Sequence, residues 1–206
     1  MKKSAIKHIF AFVLTLALVL LMQPCNVIAE GSETISEALE DAMKSDKVYT
    51  VDTMEEMKKL AITEANATVL LKGYYAPGDG GGGLFSWKLY MRAGDNGGTI
   101  IETAADKGRL VRISDNNYCN LLWFGAKGDG ATDDTEALKN AVKALPDAGG
   151  TVYIPNGVYC VSETIYLGDG DASTLKSSYM GIHLFGDGSN TVIKAVSEMD
   201  SVLYLK

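Results

Sequence analysis

The sequence predicts a mainly β protein: a short β-solenoid closed at its leading end by one amphipathic helix and preceded by a small antiparallel β module. Three observations carry this. After Gly150, short runs rich in β-branched and aromatic residues (TVYIP, GVYCV, TIYL, GIHLFG, TVIKA, SVLYL) are separated by Pro-Asn-Gly and Gly-Asp-Gly turns. Thr151, Ile182 and Val202 begin comparable runs about 31 and 20 residues apart, the recurrence expected of stacked coils that cannot bury their inner faces alone. Before these runs lies one helical pattern with a single apolar stripe.

In chain order, residues 1–29 read as a signal peptide. Lys2, Lys3 and Lys7 precede an apolar run from Ile9 to Met22, and Val27-Ile28-Ala29 offers small residues for cleavage. A retained membrane anchor is the alternative, since Ile9 to Ile28 is uncharged. Cleavage predicts a secreted, extracellular or cell-surface protein with no membrane contact afterwards. Cys25 follows Pro24 rather than the small residue a lipidation site needs.

Residues 30–50 read as a linker or a loosely held helix. Residues 51–115 read as a small α/β module. VDTMEEMKKL opens it with Asp52 or Thr53 as cap, Glu55 or Glu56 three positions on, and Met54, Met57 and Leu60 on one face. ATVLLKGYYAP, LFSWKLY, TIIET and RLVRIS then read as an antiparallel meander with glycine-rich corners.

Residues 121–206 read as the first coils. Leu121 to Phe124 is expected as a short strand, and Ala126 to Ala131 as a loop carrying Gly128 and Gly130. Thr132 or Asp133 caps the helix, with Glu136 completing a capping box. Ala137, Leu138, Ala141, Val142 and Leu145 form the apolar stripe, and Pro146 ends it. A helix with one apolar face is suited to covering the open end of a β stack.

Charge excludes some functions. The whole chain carries a net charge of −7. Removal of residues 1–29 takes three lysines and no acids, leaving 16 of the 19 basic residues against 26 acidic ones, a net charge of −10. A nucleic-acid partner needs clustered Lys and Arg and is not expected. Only His183 remains of two histidines, which rules out a Cys/His zinc site of the usual kind and any two-histidine mechanism. Cys119 and Cys160 are either a disulfide or two buried thiols.

Most candidate chemistry reduces to architecture. Gly78, Gly80 and Gly83 satisfy GxGxxG, but Leu84 to Tyr90 reads as a strand, so no helix N-terminus awaits a pyrophosphate. Asp133 and Asp134 resemble an acid pair, yet adjacent residues at a helix start diverge and cannot clamp one glycosidic bond. Both are expected as caps, and Asp129 as a turn residue. Asp169 and Asp171 could contribute to a calcium site but lack a full ligand set, so no metal or cofactor is assigned. His183 faces opposite to Ile182 and Leu184, towards solvent. Trp87, Tyr74 and Tyr75 are expected in the module core rather than stacking on sugars.

Two stretches carry a family resemblance. FGAKGDGxTDDT at Phe124–Thr135, the helix, GGTVYIPxGxY at Gly149–Tyr159 and GDGS at Gly186–Ser189 resemble the pectate-lyase-like right-handed parallel β-helix superfamily, in its rhamnogalacturonase, epimerase and phage-tailspike branch. GYYAPGDGGGGLFSW resembles the small module that precedes such coils in tailspike-like proteins. The resemblance implies a carbohydrate-active protein of the polysaccharide lyase or glycoside hydrolase lineage, with a pectin- or rhamnogalacturonan-type polysaccharide as partner. In that family the catalytic residues lie on later coils, so they are expected beyond residue 206 and this chain alone is expected to be inactive, as an N-terminal fragment. The other reading is a non-catalytic carbohydrate-binding or tailspike-like structural module, which would allow a homotrimer.

Overall fold

The computed structural model describes residues 47–64, 66–115, 117–167 and 181–205. The expected signal peptide, most of the expected linker and the loop with Asp169 and Asp171 lie outside them. The elements below belong to one compact unit, Asp46–Lys206.

The leading module holds β1 (Val48–Val51), α1 (Met54–Lys58), β2 (Thr68–Leu71), β3 (Gly83–Leu89), β4 (Ile100–Ile101) and β5 (Gly108–Arg112), in the sheet order β1-β2-β3-β5-β4. β1 begins at Val48, inside the stretch read as linker. The meander is antiparallel from β2 onward, but β1 runs parallel to β2. A parallel pair needs a crossover, and α1 supplies it. Thr53 caps α1 by accepting from the Glu56 amide, while the Glu56 carboxylate accepts from the Asp52 amide. Met54 and Met57 seat α1 on Val69, Leu71, Phe85, Trp87, Ile101 and Leu110. Trp87 is a core residue, as expected. Gly83 opens a strand, so the glycine run meets no helix.

The second part is a stack of coils. The strands are β6 (Tyr118–Asn120), β7 (Asp129–Asp133), β8 (Gly150–Ile154), β9 (Gly157–Val161), β10 (Ile165–Leu167), β11 (Ile182–Gly186), β12 (Thr191–Ala195) and β13 (Leu203–Leu205). They form three parallel sheets, ordered β6-β8-β11, β7-β9-β12 and β10-β13. Gly150 aligns with Ile182, Gly157 with Thr191 and Ile165 with Leu203, so successive coils are offset by 32, 34 and 38 residues at the three sheets. The interval from Thr151 to Ile182 was therefore close to one coil. The run beginning at Val202 is not a further copy of it, because β13 stacks on β10.

The helix α2 (Thr135–Ala144) follows β7 and packs on β6 and β10. Its stripe of Ala137, Leu138, Ala141, Val142 and Leu145 is buried with Val152, Ile154, Tyr159, Val161, Ile165 and Leu167. Each fully buried Leu contributes about 1.5–3 kcal/mol through apolar burial.

Two local expectations are corrected. Leu121–Phe124 is a 3-10 turn, not a strand. Asn120 caps it through the Leu122 amide, and Gly125 closes it at φ 83°. Leu121 and Phe124, three apart and so on one side of such a turn, both reach the core. The predicted loop also contains a strand, because Asp129–Asp133 pairs with β9 across an irregular register.

Candidate functional site

The outer face of the sheet β6-β8-β11 carries a row of aromatic rings. In β8, Val152 and Ile154 point into the core, so the alternate position Tyr153 faces out. Register places Tyr153 beside Phe185 of β11, and their ring centroids lie 5.8 Å apart. On the other side Tyr118 of β6 stacks with Tyr153 at 6.4 Å and 23°. Trp123 extends the row, edge-on to Tyr118 at 5.7 Å. Phe185, on the outermost strand of this sheet, is 61% exposed.

Polar groups flank the rings. The Tyr153 hydroxyl donates to both carboxylate oxygens of Asp187 at 3.0 Å, and Asp187 also accepts from the Asn156 amide. The hydrogen bond to Asp187 raises the Tyr153 pKa, keeping the phenol neutral. His183 lies two residues before Phe185 on the same strand face, exposed and level with Thr151. Its outward orientation was expected; its place beside the aromatic row was not. Such a face offers flat apolar surface with neighbouring donors and acceptors, which suits the apolar faces and hydroxyls of sugar rings.

The acidic residues at the start of α2 do different work. Asp133 accepts from the Thr135 amide and hydroxyl and, through its other oxygen, from the Ser162 hydroxyl. Those bonds, that from Ser162 foremost, hold its pKa below the usual range. Asp134 is the N-cap residue by position, but its side chain makes no capping bond, contrary to expectation. It is buried, and its carboxylate accepts from the amides of Lys127 and Gly128 at 2.8 and 3.1 Å. Burial raises its pKa against those two bonds. Gly128 itself has φ 60°, and a Cβ there would sit 2.8 Å from the Tyr159 ring. Asp129 accepts from the amides of Ala131 and Thr132 and from the Thr132 hydroxyl, the turn role expected of it. The Thr132 amide leads in holding its pKa at about 2.

The remaining candidates divide. Cys119 and Cys160 are both free and buried, and burial pushes the Cys119 thiol up to about 11. Tyr74 packs on the module core, whereas Tyr75 is 53% exposed at the junction with the first coil. Among the described residues, no three His, Cys, Asp or Glu side chains are grouped to hold a metal ion, and no helix is long and apolar enough to cross a membrane.

Comparison with known proteins adds to this geometry. Residues 118–206 match the family described as rhamnogalacturonase A/epimerase, pectate lyase-like. Through these residues the chain belongs to the pectate-lyase-like β-helix superfamily. The family match starts at the first residue of β6, three before the coil boundary expected at Leu121. Residues 50–115 match a phage tail protein small four-stranded β-sheet domain; here that sheet has five strands, one of them only two residues long.

Alginate lyase 7 of Azotobacter vinelandii is 46% identical over 86 residues, covering 41% of this chain and 10% of the lyase. Mannuronan C5-epimerase AlgE1 of the same organism is 37% identical over 149 residues, 68% of this chain and 9% of the epimerase. The chain thus spans about a tenth of the length of these relatives. Among solved structures, a tailspike protein of Acinetobacter baumannii phage AM24 superposes with a TM-score of 0.58 at 20% identity, over 82% of this chain and 25% of the tailspike. The Pantoea stewartii glycan biofilm modifying enzyme WceF, which has a tailspike-like parallel β-helix fold, gives 0.54 at 23% identity, over 75% of this chain and 23% of WceF. At these identities the superpositions speak for the superfamily fold alone.

Proposed function

We propose that these coils are the leading end of a secreted polysaccharide-modifying protein of the lyase and epimerase lineage, and that the row Trp123, Tyr118, Tyr153 and Phe185 binds the polysaccharide. The observation that carries this is the outward aromatic row running across three coils, with Asp187 and His183 beside it. Rings about 6 Å apart along a rigid sheet can stack on successive sugars of one chain with little ordering cost. The names of the relatives, an alginate lyase and a mannuronan epimerase, support a uronate-containing polymer. On this reading the chemical step belongs to coils further along the helix, where the family resemblance puts the catalytic residues. The test is gel retardation of residues 30–206 in alginate and in polygalacturonate. Retardation that Phe185→Ala reduces at least fivefold supports the reading, and equal retardation of the variant refutes it. Lyase or epimerase activity in the same protein would refute the assignment of chemistry to other coils.

A second reading is a non-catalytic carbohydrate-binding or tailspike-like structural module that assembles as a homotrimer. It is favoured by the phage tail domain at 50–115. A trimer in sedimentation, with binding and no activity in any longer form, would support it.

A further inference from the structure

A second surface lies where the module meets the first coil. Here a groove of about 390 Å³, at the small end of the range for small-molecule sites, is lined by Tyr75, Asp79, Leu122, Ala126, Lys127 and Asp129, among others. Its walls are fixed on both sides. The Tyr75 amide donates to Asp79 at 2.7 Å and its hydroxyl donates to the Gly125 carbonyl at 2.8 Å, so the ring is tethered at both ends. The Lys127 backbone is held by the buried Asp134 carboxylate. The groove is therefore formed before any ligand arrives, which lowers the entropy cost of binding.

The groups free to act are few. Asp79 accepts from the amides of Tyr74, Tyr75, Ala76 and Gly81, which fill the four acceptor positions of its carboxylate. It shapes the loop and has nothing left to offer. Asp129 accepts two amides at one oxygen and one hydroxyl at the other, leaving one acceptor position open. Lys127 is exposed, makes none of the ion pairs found among the described residues, and has its ammonium 5.0 Å from the Tyr75 ring centroid. Three features thus share one space: a half-exposed aromatic ring, an ammonium with free donors and a carboxylate with one free acceptor. The Lys127 ammonium lies over one face of the ring, and the exposed remainder of the ring, with that donor and the Asp129 acceptor nearby, matches the apolar face and adjacent hydroxyls of a pyranose.

Charge decides between sugar classes. Two carboxylates line the groove against one ammonium, and both are held ionised at neutral pH. At Asp79, burial raises the pKa but the four amides outweigh it; at Asp129, the amides and hydroxyl hold it at about 2. A carboxylated sugar would enter against net negative charge, whereas an uncharged one would not.

From this we infer that the groove between Tyr75 and Lys127 is a separate carbohydrate subsite that takes an uncharged hexopyranose unit. Saturation-transfer NMR on the whole chain, with cellotetraose and mannotetraose as neutral probes and tetramannuronate as the charged one, tests it. At least one neutral probe should bind, and Lys127→Ala should weaken it at least fivefold. That variant keeps the backbone bond to Asp134, and an unchanged melting temperature would confirm that the fold is intact. Tyr75→Leu should abolish the signal, and Phe185→Ala should leave it unchanged. No binding of either neutral probe, neutral binding that survives Lys127→Ala, or tetramannuronate bound more tightly through Lys127 would each overturn the inference. Loss of neutral binding in Phe185→Ala would also overturn it, by moving the site to the aromatic row. Failure of the alginate and polygalacturonate test alone leaves these outcomes unaffected.

Discussion

Arg112, on the last residue of β5, lays its guanidinium 4.5 Å from the ring centroid of Trp123 in the first coil. Its other neighbour is Phe85 of the module core, also at 4.5 Å. The cation joins the two parts of the fold, and no carboxylate pairs with it among the described residues. Its Nε and two terminal nitrogens instead donate to the carbonyls of Gly98, Gly82 and Gly81. Burial pulls its pKa down to about 9, which leaves it charged at neutral pH.

Arg112→Ala should therefore destabilise the protein by about 3 kcal/mol, since it strips three carbonyls of their donor and two rings of their stacking partner. Arg112→Lys should recover less than half of that, because an ammonium cannot reproduce the planar fork. Urea unfolding of the three proteins measures it. A lysine variant as stable as the parent would show that only charge matters at this junction.

Little of that junction was legible in the sequence. RLVRIS reads as a strand, and nothing local to it shows that Arg112 is buried, because its carbonyl partners come from two distant glycine corners. The apolar stripe of α2 was legible, since periodicity along one helix depends on that helix alone. LLWF was misread because four apolar residues in a row carry no period; the cap at Asn120 and the stop at Gly125 were the usable signals. The strand Asp129–Asp133 is polar and exists through its pairing with β9, which local propensity does not report. Tyr153 and Phe185 each show an outward alternation in sequence, but their meeting depends on the coil register. The turns between strands differ in length from one coil to the next, which is also why the Val202 run was put in the wrong sheet.

Leu138 tests the covering role of α2. It is fully buried beneath the helix, against the first coils. Leu138→Asp should cost about 4 kcal/mol, through lost apolar burial and an unpaired buried carboxylate. Leu138→Met, close in volume, should cost about 1 kcal/mol. Thermal unfolding followed by circular dichroism distinguishes them; an unchanged melting temperature for the aspartate variant would mean that the helix does not seal the stack.

Asp134 tests the reassignment of the acidic pair. If its carboxylate holds the glycine loop rather than capping the helix, Asp134→Ala leaves the amides of Lys127 and Gly128 without acceptors and should cost about 3 kcal/mol. Asp134→Asn keeps one acceptor oxygen and should cost roughly half as much. Amide hydrogen exchange separates the two roles. Faster exchange at Lys127 and Gly128, with the first turn of α2 still protected, fits a loop clamp, and the reverse pattern fits a cap.

The same carboxylates set the acid limit of the fold. Asp129 at about 2, with Asp79 and Asp133 also lowered, binds protons less readily folded than unfolded, where aspartate titrates near pH 4. For a lowered carboxylate the stabilisation is present above the unfolded pKa and disappears as the pH falls through the folded one. Asp134 has the opposite sign. Its pKa is raised by burial, so its contribution is present below pH about 4 and is lost as the pH climbs through its folded value. Glu55 and Glu64 are lowered as well, through their bonds to Lys59 and Tyr49, so among the described residues five lowered carboxyl groups against one raised predict a melting temperature that falls between pH 4 and pH 2. Asp129→Asn preserves an oxygen for the Ala131 and Thr132 amides but removes the titrating charge, so its curve should be flatter over that window. Asp134→Asn should instead make the fall from neutral to acid steeper, because the opposing contribution has gone. Parallel curves for the parent and Asp129→Asn would show that the amides around Asp129 do not favour its charged form in the folded protein.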